Sequence, residues 1–291
     1  KNKKNKFNQQ QQQNQFLINE ANNDDEYNSS LAQTLTSRQK ISSLQDEIDQ
    51  EATIVGTSTN LEKEYLRIAG DQDIDPSKVR PLAILKESLH YCLDKYNQNQ
   101  NYEYISEQLR SIRQDLSVQH IEDPFTVEVY ETHTKLAILN KDWSNANQSM
   151  VQLEIYYAKK LGIFQNICEF WKYRIIYLFG VEDIDGLCSF VPKIDNNVLQ
   201  SRDVQFAIYL WEISQSGEWM KYFSIMKKAD PYVASVMSLK AQNLRVTALS
   251  CICRGFRYLT LEDYRTFLCY DENEDDLLRQ FLSEYEIEIP N

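Results

Sequence analysis

The chain has 291 residues, of which 43 are acidic and 31 basic, giving a net charge of −12. That balance argues against a general nucleic-acid coat, because phosphate affinity comes from neutralising lysines and arginines. Seven glycines and six prolines are few for the turns of a strand-rich fold, and they favour a mostly helical one.

Residues 1–30 open on a Lys/Asn stretch, pass through a Gln/Asn run and end in Asn, Asp, Glu and Ser. Such a composition buries too little apolar surface to order itself, so a disordered tail is expected. A start at Lys1 rather than Met reads as a piece of a longer protein. Its first lysines are a weak nuclear-targeting hint, and a solvated basic tail is the plainer reading. Leu31, Leu35, Ile41, Leu44 and Ile48 recur at helical spacing and predict a helix over 31–52. A polar loop with Pro76 is expected over 69–78.

Helices are then predicted over 81–96, 102–116, 125–139, 144–161 and 163–179, separated by short polar connectors at 97–101 and 140–143. This rhythm fits antiparallel helical hairpins stacked as a TPR-like solenoid, although a strict repeat of about 34 residues is absent. Two more helices are predicted over 200–214 and 218–228. After Pro231 a long helix carries Val236, Leu239, Leu244, Ala248 and Ile252 at apolar spacing.

Thr260 and Asp263 match an acidic capping box, opening a short helix to Leu268. Residues 271–285 predict another helix, with acidic residues at the positive end of its dipole. Tyr285–Ile289 alternates with period two and reads as a strand, as does the brief Tyr258–Leu259. Helix, strand, helix, helix, strand is a winged-helix plan lacking one strand of the wing. The expected fold is therefore mainly α: a helical-hairpin (TPR-like) solenoid followed by a C-terminal winged helix. The division is a tail over 1–30, an N-terminal helix and lead-in segment over 31–60, the solenoid over 61–230, and a winged helix with incomplete wing over 231–291.

Six cysteines, at 92, 168, 188, 251, 253 and 269, lie within apolar helical patterns and read as reduced core residues. Cys251 and Cys253 have the wrong spacing for a zinc knuckle and no nearby histidine. No apolar run approaches the roughly 18–20 residues of a membrane span, so no membrane partner is expected. There is no glycine-rich phosphate loop, no His-x-x-x-His and no nucleophile elbow. Hence no catalytic residue, cofactor or metal is expected, and an enzyme would need a cluster of titratable groups that the sequence does not offer.

Charge is divided unevenly. Residues 219–269 hold eight basic and three acidic side chains, whereas 270–291 hold eight acidic ones and Arg279. Such a reversal points to two faces with different partners. Lys240, Arg245, Arg254, Arg257 and Arg265 are candidate RNA contacts. Arg254 and Arg257 stand three apart, beside Phe256 and Tyr258, offering phosphate contacts and a platform for a splayed base. The plainer reading is a solvated helix end whose cations complement the dipole. The acidic helix that follows would be repelled by phosphates, so it suits protein contacts better than DNA reading.

From Tyr104 to Leu136 two apolar stripes run at helical spacing: Ile105, Leu109, Ile112 and Leu116, then Phe125, Val129, Thr132 and Leu136. Arg110, Arg113, Gln114, Asp115, Glu128, Glu131 and His133 crowd the polar faces. These groups suit directional hydrogen bonds and read as an internal polar network pinning one helix to the next. His133 reads as a histidine satisfied by a neighbouring carboxylate.

Ser111–Leu116 followed by Phe125–His133 resembles the signature of the GANP-type mRNA-export scaffold family, in its leukocyte-receptor-cluster-like or Thp-type branch. Ile54–Thr57 with Leu61–Ile68 resembles that branch's lead-in, and Val79-Arg80-Pro81-Leu82 with Leu85–Leu89 resembles its next helix. Glu169–Phe179 and Leu244–Leu282 follow more loosely, so the likeness covers roughly residues 54 to 285. It implies a PCI-type scaffold whose winged helix pairs side by side with a second PCI-domain protein, together with a small acidic Sem/Dss-type subunit. It implies an adaptor in nuclear mRNA maturation, coupled to transcription, splicing or export, without enzymatic activity, with shuttling to the cytoplasm included. Arg80, Pro81, Arg110, Arg113, Gln114, Asp115, Glu128, Glu131 and His133 are then framework residues, and RNA contact falls to the winged helix. The alternative is a PCI subunit of another assembly, proteasome-lid-like or translation-initiation-like.

Overall fold

A computed structural model describes residues 54–66 and 75–287. The chain divides into Lys1–Val55 and Gly56–Asn291. The tail over 1–30 and the helix expected over 31–52 lie outside the described residues.

Within Gly56–Asn291 an extended segment leads through a 3-10 turn at Pro76–Lys78 into twelve described α-helices. These are α1 (Leu82–Asn99), α2 (Tyr102–Val118), α3 (Pro124–Leu139), α4 (Trp143–Ala158), α5 (Phe164–Gly180) and α6 (Ile184–Phe190). They continue with α7 (Asn196–Leu199), α8 (Arg202–Gln215), α9 (Trp219–Met226), α10 (Pro231–Gly255), α11 (Leu261–Phe267) and α12 (Asp275–Glu284). No strand occurs among the described residues.

Local chemistry sets most of these boundaries. Asn101, Asp123, Asp142, Asp183, Asp195, Ser201 and Asp230 each accept a backbone N–H of the first turn that follows, satisfying donors that have no intrahelical partner. Pro124 and Pro231 occupy first-turn positions, where their missing N–H costs nothing. Thr260 and Asp263 form the expected capping box at α11. The C-termini use a device that composition conceals. Gln100, His120, Lys141, Lys160, Glu182, Cys269 and Glu286 all have positive φ, doing as non-glycine residues what glycine commonly does after a helix. Lys141 is typical: its N–H reaches Ile138 O, and the next N–H reaches Ala137 O.

The same closure overturns the expected strand at 285–289. Glu286 has φ 55°, its N–H bonds Ser283 O, and the Ile287 N–H bonds Leu282 O. Ile287 then packs onto the C-terminal core. The alternation therefore marks a hydrophobic residue closing α12 in a Schellman-type cap; positions 288 and 289 lie outside the described residues. Tyr258–Leu259 forms no strand and lies in the connection between α10 and α11. The sequence reading also places no element over 180–199, where α6 and α7, separated by a 3-10 turn at Val191–Lys193, both pack on α5.

Three apolar clusters hold the unit together. The first lies between α1, α2 and the start of α3, around Leu85, Leu109, Ile112, Leu116 and Val129. The second and largest runs from α3 to α10, around Ile138, Met150, Phe170, Phe179, Leu210, Tyr222 and Val236. The third joins the end of α10 to α11 and α12, through Leu249, Ile252, Leu268, Leu278 and Phe281.

Two helices belong to two clusters each. Helix α3 gives Phe125 and Val129 to the first and Ala137 and Ile138 to the second. Helix α10 gives Val233, Val236, Met237 and Leu244 to the second, then Ala248, Leu249 and Ile252 to the third. It also packs back on α3 and α5, with Ser235 Oγ donating to Ile138 O at 2.5 Å. Leu239 meets Gly180 where an added Cβ would come within 2.9 Å.

Candidate functional site

Helix α2 carries three kinds of residue at helical spacing. Ile105, Leu109, Ile112 and Leu116 form its fully buried apolar stripe. Gln108, Ser111, Asp115 and Gln119, spaced by three or four and so stacked on one side, meet the extended segment 56–66 and Arg80. Arg110, Arg113, Gln114 and Ser117 line a cleft between α2 and the start of α4.

The second stripe works as a clasp. Arg80 is fully buried, and its Nε donates to Asp115 Oδ2 at 2.6 Å. Its Nη1 reaches Ser88 Oγ at 3.0 Å and Leu61 O at 3.2 Å, and Nη2 reaches Ser111 Oγ at 2.7 Å. Asp115 accepts a second cation at Oδ1, from Lys63 Nζ at 2.5 Å. The extended segment is tied along its length: Gly56 N–H to Gln119 Oε1, Lys63 N–H to Gln108 Oε1, and Leu66 O to Gln114 Nε2. Gly56 is needed at its position, because a Cβ there would lie 2.3 Å from Val79 O. Pro81 stands at the start of α1 without a side-chain cap.

The remaining framework candidates occupy different places. His133 is fully buried, with Nε2 at 3.5 Å from Ser106 Oγ and no partner for Nδ1 among the described residues. No carboxylate satisfies it, contrary to expectation; its direct partner is a hydroxyl. Burial, then the nearby positive Arg113, hold its pKa well below the usual histidine value, so the ring is neutral. Glu131 accepts from the Tyr157 hydroxyl and Asn166 Nδ2, both at 2.7 Å, and burial holds its carboxyl above the usual range. Glu128 is exposed, and beside Lys86 and Phe125 it lines a separate cleft.

The five candidate RNA contacts do not form one patch. Lys240 pairs with Glu182 at 2.6 Å. Arg245 donates from Nε to Leu268 O and lies over the Tyr270 ring, 3.8 Å from its centroid. Arg265 faces Asp275 at 3.5 Å. Arg254 and Arg257 are exposed and in no ion pair among the described residues. Between and beyond them, Phe256 is 52% exposed and Tyr258 86% exposed, Phe256 stacking on Phe267. The end of α10 and the residues after it thus offer two free guanidiniums and two aromatic faces.

Cys92 and Cys168 are buried as expected, but Cys188, Cys251 and Cys253 are exposed and Cys269 is intermediate. The two in α10 lie on either side of Ile252, which takes the buried face. Among the described residues no group of three or more His, Cys, Asp or Glu is placed to hold a metal. No described helix is long and apolar enough to cross a membrane.

The profile of the SAC3/GANP family matches residues 36–291. The chain is similar to the THP3 homolog of Schizosaccharomyces pombe, 32% identical over 245 residues covering 83% of this chain and 61% of that one. It is 34% identical to the Leukocyte receptor cluster member 8 homolog of Xenopus laevis over 74% of this chain and 26% of that one. To Protein THP3 of Saccharomyces cerevisiae it is 25% identical, over 89% of this chain and 56% of that one. The chain thus spans less than two thirds of the length of these relatives.

Proposed function

The chain belongs to the SAC3/GANP family, and from that membership we propose that it is a non-enzymatic scaffold subunit of a nuclear PCI-type complex. The complex acts in mRNA maturation and export coupled to transcription. Stacked helical hairpins form a TPR-like solenoid, and α10–α12 act as the winged-helix end, meeting a second PCI-domain protein and contacting RNA. A small acidic Sem/Dss-type subunit completes the assembly.

The observation that carries the RNA part is the group at the end of α10. Arg254 and Arg257 spend no charge on a described carboxylate, and Phe256 and Tyr258 beside them are exposed. Cations with aromatic faces bind single strands by phosphate contact and base stacking. The partner part is supported by α12, which begins on Asp275 and Asp276 and leaves Leu277 and Tyr285 exposed. That surface repels phosphate and suits a protein contact.

Purification under native conditions tests both. A second PCI-domain protein and a small acidic subunit are expected to co-purify; recovery as a lone monomer refutes the scaffold role. In the assembled complex, Arg254→Glu with Arg257→Glu is expected to weaken RNA binding and flatten its salt dependence. Unchanged RNA affinity removes the end of α10 as the contact.

A further inference from the structure

The cleft between α2 and the start of α4 has a volume of about 530 Å³. Arg110, Arg113, Gln114, Ser117, Asn145 and Gln148 line it, and among the described residues no Asp or Glu does. Arg113 is only 7% exposed. Its Nη1 donates to Ser149 Oγ at 2.9 Å, and Nη2 to Gln148 Oε1 and Asn145 Oδ1 at 3.2 and 3.4 Å. Every one of these acceptors is neutral. Its Nε has no partner among the described residues, and neither does the buried Nε of Arg110.

A buried guanidinium without a counter-charge is an anomaly that stability alone does not explain, since burying a charge is costly unless it is paired. Elsewhere in the unit Arg80, Arg174 and Arg265 each reach a carboxylate. Arg245 does not, but aromatic faces occupy it and it does not open on this cleft. Burial, together with the positive Arg110 beside it, lowers the proton affinity of Arg113, as expected where an anion is missing.

The unused groups also specify what would fill the space. Two guanidiniums lining one cleft, neither with a described counter-charge, ask for an oxyanion. Gln114 gives its Nε2 to Leu66 O, leaving Oε1 buried and without a donor among the described residues. The complementary ligand thus needs an anionic acceptor and a hydrogen-bond donor on one small body. A plain carboxylate supplies the first and not the second. The rings of Tyr65 and Tyr130 stand over Arg110 and Arg113 at 5.7 and 5.2 Å, walling the cleft with flat surfaces.

We propose that this cleft binds a phosphate monoester bearing a free hydroxyl, a nucleotide or a polyol phosphate. The phosphate sits between Arg110 and Arg113, and the hydroxyl donates to Gln114 Oε1.

Calorimetric titration of the full chain with a nucleoside 5′-monophosphate, glycerol 3-phosphate and the unphosphorylated nucleoside tests this. Saturable one-site binding by at least one phosphorylated probe, at about millimolar affinity or tighter, is expected, with none by the nucleoside. The tighter of the two phosphates identifies the source. Arg110→Met is expected to weaken binding roughly tenfold or more, whereas Arg279→Met, at an exposed position outside the cleft, leaves it unchanged. Gln114→Glu supplies an internal carboxylate, so it is expected to abolish binding and raise the melting temperature of the ligand-free protein. Failure of both phosphates to bind overturns the proposal, as does binding unaltered by Arg110→Met and Gln114→Glu. An oligonucleotide without terminal phosphate binding as tightly as the monoesters, and lost in Arg110→Met, overturns the monoester in favour of a nucleic-acid backbone.

Discussion

Asp115→Asn separates the clasp from an ordinary surface ion pair. The carboxylate is 1% exposed and bridges Arg80 and Lys63 at 2.6 and 2.5 Å. The amide keeps the shape but leaves Arg80, fully buried, without its anion. Removing one partner of a buried pair costs about 3–5 kcal/mol, a large share of the roughly 5–15 kcal/mol that holds a domain together. Lys63→Met is the control: its side chain is partly exposed, and its loss leaves Asp115 paired with Arg80. A cost of about 1 kcal/mol or less is expected there. Urea denaturation of both variants, and of Arg80→Met with Asp115→Asn, gives the comparison. The double variant should cost clearly less than the sum of its singles, with coupling of about 1–3 kcal/mol. A local readout accompanies this, since release of residues 56–66 from α2 exposes the backbone after Lys63 to trypsin. Additive single costs, or Asp115→Asn no worse than Lys63→Met, refute the clasp.

Other outcomes follow from groups described above. Burial holds the folded pKa of His133 well below the ordinary histidine value of about 6.5, so below about pH 6.5 the unfolded chain takes up a proton that the folded one refuses. Stability is therefore full above that pH and falls as pH drops, by up to about 1.4 kcal/mol per unit. His133→Gln removes the histidine's share of that slope between pH 6.5 and 5.5, and an unchanged slope in denaturation midpoints relative to the parent chain counts against a neutral buried ring. Lys141 is exposed and held at φ 56°. Lys141→Gly is expected to relieve strain and stabilise by about 1 kcal/mol, seen as a higher melting temperature; a lower one refutes the strain.

Periodicity made the helices legible because their caps and apolar stripes are local. Asp123 with Pro124, and Asp230 with Pro231, announce where α3 and α10 start. The left-handed residues at the other ends carry no such sign, because a lysine or glutamate adopts that conformation only under the pull of two backbone hydrogen bonds. Glu286 shows the consequence, where alternation alone imitated a strand. Arg80 and Asp115 were conspicuous in the sequence, but their pairing across 35 positions, and the neutral acceptors around Arg113, depend on how α2 is rotated. The same holds at the end of α10. Five cations looked alike in the sequence, and only packing distinguishes Lys240, Arg245 and Arg265 from the two left unpaired.

The shared helix α10 acts as a ruler. Ser235, bonded to α3, and Arg254, near its far end, are separated by about 29 Å of continuous helix at 1.5 Å per residue. Side chains of the second and third clusters brace that span on both halves, so its two ends keep one spacing and one relative rotation. A partner resting on α3 and another touching Arg254 would meet at a distance written into the backbone. One long molecule could engage both only if its own contacts repeat at that interval.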